Sequence, residues 1–99
     1  MAITQPAYIA LPYNKNATLN ISADAVVKPS KGIVAVVNVL TAGSAAGAIH
    51  NCTQIVDAAA GNKVATIPNT VGSYVMNFPC SSGIVYKVGT SQVVSISYL

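Results

Sequence analysis

The sequence predicts an all-β domain, an antiparallel β-sandwich or jelly-roll-like barrel of about eight short strands with an extended N-terminal arm. Three observations carry this expectation. Short β-branched runs such as Ile33-Val-Ala-Val-Val and Val93-Val-Ser-Ile-Ser-Tyr recur along the chain. Gly, Pro, Asn and Ser punctuate them every ten residues or so, as turns between strands require. There is neither a βα alternation nor an internal repeat. At 99 residues the chain makes one domain, which buries roughly 60–65% of the surface its unfolded form exposes.

Residues 1–17 read as the arm and 18–99 as the sandwich. In the arm, Pro6 and Pro12 stand among Tyr8, Ile9, Leu11 and Tyr13. Proline denies this stretch a helix or a central strand, and its side chains are too apolar for a solvated tail. Such an arm lies along a surface, either its own domain or, by strand addition, a neighbouring subunit.

From Thr18 onward the pattern is strands. Leu19, Ile21 and Ala23 alternate with Thr18, Asn20 and Ser22, a half-buried strand. Val26-Val27-Lys28 leads through Pro29-Ser-Lys-Gly32 into Ile33–Leu40. That strand is apolar on both faces, with Ile33, Val37 and Val39 on one side and Val34, Val36 and Leu40 on the other. In a two-layer antiparallel domain, apolar residues on both faces imply that something covers the outer one. Thr41–Gly47 is a loop of small residues, Ala48–Thr53 a short strand, and Asp57–Asn62 a helical turn or tight loop. Val64–Ile67 ends at Pro68-Asn69. Tyr74, Met76 and Phe78 share one face of the next strand, Val75 and Asn77 the other. Pro79–Gly83 turns the chain. Ile84, Tyr86 and Val88 then alternate with Val85 and Lys87, and Val94, Ile96 and Tyr98 with Ser95 and Ser97.

Charge is scarce. The chain has five lysines, two aspartates, one histidine and no Arg, Glu or Trp, for a formal net charge of +3. Charged residues make up 7%, against roughly 25% in an ordinary soluble domain, so a monomer would depend on Ser, Thr, Asn and Gln for solubility or bury surface in an assembly. The lysines form no run, and without Arg there are no bidentate phosphate or guanine contacts; nucleic acid is not an expected partner. Residues 32–49 approach bilayer-spanning length and contain Gly43-x-x-x-Gly47, but Asn38, Thr41 and Ser44 interrupt them without an aromatic or basic frame. A buried strand and a loop are expected there, with no membrane partner. Met1–Pro6 has neither the basic nor the apolar region of a secretory signal, so synthesis in the cytosol and free, partly buried thiols at Cys52 and Cys80 are expected, with a bridge as the alternative.

Candidate chemistry is sparse. Cys80, His50 and an Asp would make a thiol nucleophile with its base, yet Cys80 follows Pro79 in a turn rather than opening a helix that would activate it. His50, Cys52 and Cys80 offer three zinc ligands where a structural site needs four. Gly43-Ser-Ala-Ala-Gly47 lacks the Lys-Ser/Thr of a phosphate loop, and Asp24 and Asp57 are the only carboxylates. The expectation is therefore no catalytic residue, no metal, no cofactor and no small-molecule substrate. The side chains expected at protein interfaces are Tyr8, Ile9, Leu11 and Tyr13 of the arm, Val34 and Val36 of the two-faced strand, and Tyr86 and Tyr98, since tyrosine presents a large, rigid, half-polar face. A carbohydrate-binding module is the alternative. It requires two or three aromatics clustered on one open face.

The stretch Val37-Asn-Val-Leu-Thr-Ala-Gly-Ser-Ala-Ala-Gly-Ala-Ile-His resembles small structural proteins of tailed bacteriophages. So do Ile67-Pro-Asn-Thr-Val-Gly, Asn77-Phe-Pro-Cys, Gly83-Ile-Val and Gly89-Thr-Ser-Gln-Val-Val-Ser-Ile-Ser-Tyr. The resemblance spans roughly residues 32–98, not the arm. It implies a non-enzymatic virion component made in the host cytoplasm, most naturally a capsid decoration or cement protein. Its partners would be the major capsid protein and other copies of itself, a trimer being the first expectation. A tail, collar or fibre component is the alternative within the same particle.

Overall fold

The computed structural model describes residues 16–99. They form eight strands: β1 (Asn16–Ile21), β2 (Ala25–Lys28), β3 (Gly32–Thr41), β4 (Gly47–His50), β5 (Lys63–Ile67), β6 (Gly72–Cys80), β7 (Ile84–Lys87) and β8 (Val93–Tyr98). Two short 3₁₀ turns, Ile55–Asp57 and Ala60–Asn62, lie between β4 and β5. The expected arm boundary moves slightly, because Asn16 and Ala17 already belong to β1.

Sheet I has the order β1-β8-β3-β6 and sheet II the order β2-β7-β4-β5. The antiparallel pairs β1–β8, β2–β7, β3–β6 and β4–β5 are nested inside one another. One long antiparallel ribbon is thus folded over itself, with successive pairs alternating between the sheets. This arrangement is a jelly roll, the second of the two architectures expected, and it places both layers of an all-β sandwich around one core. Ile21, Val34, Val37, Val39, Val94 and Ile96 from sheet I pack in one cluster with Val27, Ile49, Ile67, Ile84 and Tyr86 from sheet II.

Bulges decide which side chains reach that core. The pairing of β3 slips between Val34 and Val36 against both of its neighbours. A slip of one residue exchanges the two faces, so Val34, Val37 and Val39 all point inward, while Ile33, Val36 and Leu40 do not. The alternation expected for this strand is corrected accordingly. A second irregularity falls between Thr18 and Ile21 of β1, where Asn20 takes a left-handed conformation (φ 54°). Leu19, expected inside, is turned out and 66% exposed.

Elsewhere the expected pattern stands with shifted ends. β6 runs through Pro79, which is compatible with a strand because β6 is the edge of sheet I and an edge residue can lack its N–H without loss. The loop from Ala42 to Ala46 lies against the turn before β8, with the Ser44 N–H donating to the Thr90 carbonyl at 2.9 Å. A Cβ on Gly43 would stand 1.9 Å from that carbonyl, so glycine is needed there for backbone contact, not for helix pairing. No helix among the described residues is long and apolar enough to cross a membrane.

Candidate functional site: an uncharged sheet face

The two sheets differ on their outer faces. Not one Asp, Glu, Lys, Arg or His occurs in β1, β3, β6 or β8. Sheet II carries Lys28, Lys63, Lys87 and His50. Sheet II is also covered in part by its own chain. The loop after β4 folds back so that His50 Nδ1 lies 3.0 Å from the Ala59 carbonyl and 2.9 Å from Asn62 Oδ1. Both partners are acceptors, so Nδ1 carries the proton. Asn62 Nδ2 donates to the Asp57 carbonyl at 2.8 Å, and the 3₁₀ turn Ile55–Asp57 packs on β7.

Nothing comparable covers sheet I among the described residues. Leu19 is 66% exposed, Leu40 46% and Val75 70%, with Ile33 at 37%. Val36 lies opposite Val75, and together they form an apolar pair on the outer face. Beside it runs a neutral polar row. Ser73 on β6 donates its hydroxyl proton to Asn38 Oδ1 on β3, Asn38 faces Ser95 on β8, and the Asn20 backbone N–H on β1 donates to Ser95 Oγ at 3.2 Å. The Ser73–Asn38 and Asn20–Ser95 hydrogen bonds each pair a donor with an acceptor, which lowers the cost of taking those groups out of water.

Of the residues expected at interfaces, Tyr8, Ile9, Leu11 and Tyr13 lie outside the described residues. Val36 is on the outer face of sheet I. Tyr98 is half-buried against the core. Val34 and Tyr86 are corrected: both are fully buried in the chain's own core and offer no side-chain surface to a partner. Val34 is brought in by the β3 slip. Tyr86 is held by its hydroxyl, which donates to Gln92 Oε1, while Gln92 Nε2 donates to the Pro68 carbonyl at 2.8 Å. Burial pushes the Tyr86 phenol above its ordinary pKa. The residues that sequence reasoning missed are Leu19, Val75 and the Asn38–Ser73–Ser95 row, because their exposure depends on bulges and on strand order.

The side chains with chemistry are dispersed. Cys52 and Cys80 are free, buried thiols, and burial raises both pKa values, which disfavours the reactive thiolate. Asp24 is bound by Lys87 at 2.8 Å and accepts the Val88 N–H at 2.8 Å; these contacts hold its carboxyl below the usual range. No group of three or more His, Cys, Asp or Glu residues positioned to hold a metal ion occurs among the described residues. Among the described residues the aromatics form no open platform either: Tyr86 is buried, Tyr74 and Tyr98 pack on the core, and of these aromatics Phe78 alone is exposed, at 46%.

No known protein-family model, curated protein or solved structure matches this chain.

Proposed function

We propose that this chain is a non-enzymatic structural protein of a phage particle, a decoration or cement protein that sits on the head and stabilises the shell. The observation that carries the reading is the uncharged outer face of sheet I. It exposes Leu19, Leu40 and Val75 around a neutral Ser–Asn row that carries two side-chain hydrogen bonds. Four strands about 4.8 Å apart and about eight residues long present roughly 500 Å² of face. Covered by a partner of equal area, that is about 1,000 Å² in total, where specific interfaces begin. The partner would be the shell protein or another copy of this chain. Jelly rolls serve in both viral capsids and lectins, so the fold is compatible with the reading without selecting it. The lack of an open aromatic platform among the described residues favours assembly over sugar binding.

The test is the copy number of the chain in purified virions relative to the major shell protein. A comparable number is expected for a head-decorating protein. A handful per particle would move it to the tail, collar or a unique vertex. Absence from the particle would overturn the reading.

A further inference from the structure

Among the described residues, β6 is the least guarded of the sheet edges. It pairs with β3 alone, and its nine residues make it the longest edge strand. Edges are ordinarily kept from pairing by shortness, charge or irregularity. β2 has four residues and carries Lys28, and β5 has five and starts at Lys63. β1 is broken by the left-handed Asn20. β6 has no charged side chain, and its own irregularities, the left-handed Asn77 and Pro79, come only after the run 72–76.

The backbone of that run has unpaired groups. Ile33 and Leu99 exchange both backbone hydrogen bonds, at 3.1 and 2.9 Å. Bonded residues alternate along an antiparallel ladder, so Ser97 and Ser95 also bond β3, at Val36 and Asn38. Val37 and Val39 then turn their backbone groups to β6, where they meet Tyr74 and Gly72. Ser73 and Val75 are left with N–H and C=O groups directed away from β3, into the open edge. The core is unsealed along the same side. β5 and β6 are the last strands of their sheets, and Val64, Ala65, Tyr74 and Met76 on them are only half-buried against the core. Phe78, which pairs with the inward-facing Val34, is 46% exposed.

We propose that two copies of this chain pair antiparallel through their β6 edges, about a two-fold axis at Tyr74. Such an axis stands perpendicular to the sheet, so residues opposite each other share a face. Ser73 of each copy then faces Val75 of the other, and each such pair exchanges both of its backbone bonds. The two Tyr74 rings meet at a non-bonded position, where side chains approach most closely. Each Tyr74 hydroxyl already donates to the Thr70 carbonyl of its own chain at 2.8 Å, so nothing polar is stranded. The symmetry brings no like charges together, because residues 64–80 contain no Asp, Glu, Lys, Arg or His. The outer faces of sheet I lie side by side in the pair, one uncharged surface of roughly 1,000 Å² against the ~800 Å² per partner of a standard interface. Pairing does not rest on the head-binding reading: it takes place in the purified chain, and absence from virions would leave it standing.

The test is made on the full chain. Sedimentation velocity over a concentration series is expected to reach twice the mass of one chain. Val75→Pro deletes the outward N–H, which an edge position tolerates, and should sediment as one chain with the parent's circular dichroism. In hydrogen exchange the Ser73 and Val75 amides of the parent should be protected when concentrated and exchange about tenfold faster on dilution. The Ser97 amide, bonded within its own sheet, should not change. If Val75→Pro fails to fold, the exchange of the parent decides. A monomer at every concentration would overturn the proposal, and so would a trimer, since an isologous pair closes at two. A dimer whose Ser73 and Val75 amides exchange freely would overturn it as well.

Discussion

Sheet I and sheet II are built from the same apolar vocabulary, and their inner faces do the same work. Ile96 of sheet I and Ile49 of sheet II are both fully buried in the shared core. Their outer faces diverge. Sheet II keeps its lysines and folds the loop 51–62 over itself, clasped by His50. Sheet I has no charge in any strand and no covering among the described residues. The folding requirement is met equally by both layers, so the bare face answers to something other than folding. On the proposed reading, that exposed apolar patch is where the chain meets its partner.

The largest expected effect tests whether the inner faces are equivalent. Ile49→Ala and Ile96→Ala should each cost about 2–5 kcal/mol, the range for deleting a buried branched side chain, read from urea unfolding midpoints. A large inequality between them would break the view that the sheets differ only outside. Next comes Tyr86→Phe, which leaves Gln92 Oε1 buried without its donor. A loss of about 1–3 kcal/mol is expected, with no change in assembly.

The Asp24–Lys87 pair contributes less. Both side chains are about a third exposed, 33% and 38%, and such pairs are worth about 0–1 kcal/mol. Because the folded carboxyl is held below its ordinary pKa, its contribution is present above about pH 4, the unfolded value. It is lost as pH falls through the folded value, and in Asp24→Asn this part of the acid dependence should vanish. The smallest effect on stability sharpens the comparison most. Val75→Lys on sheet I and Thr66→Lys on sheet II should each stay within about 0.5 kcal/mol of the parent. Only Val75→Lys should abolish binding to heads, measured by co-sedimentation.

Much of this fold was legible in the sequence because alternation and turn residues report local geometry. Ile84 and Tyr86, or Val94 and Ile96, fall on the core side as their spacing demands. The β3 strand was harder: its residues are apolar on either parity, so nothing in Ile33–Leu40 says where the pairing slips. Leu19 was misplaced for a related reason, since the left-handed Asn20 breaks the alternation that its neighbours obey. The candidate site depends on a further level. That Ser73, Asn38, Ser95 and Asn20 line up in one row follows from the order β1-β8-β3-β6, which no local pattern encodes. Tyr86 shows the converse, since its polar hydroxyl pointed to a rim until Gln92 supplied a buried partner.

The nested pairing also governs when the molecule can come into being. β1 pairs only with β8, which sits between β1 and β3 in sheet I. A ribosome must therefore deliver the eighth strand before the first has any partner, which at roughly 5–20 residues per second is a wait of several seconds. Until then sheet I is a two-stranded ribbon of β3 and β6, too small to stand alone. Chains stalled before Val93 should remain sensitive to protease, and each interrupted synthesis yields a fragment that cannot pass for the finished part.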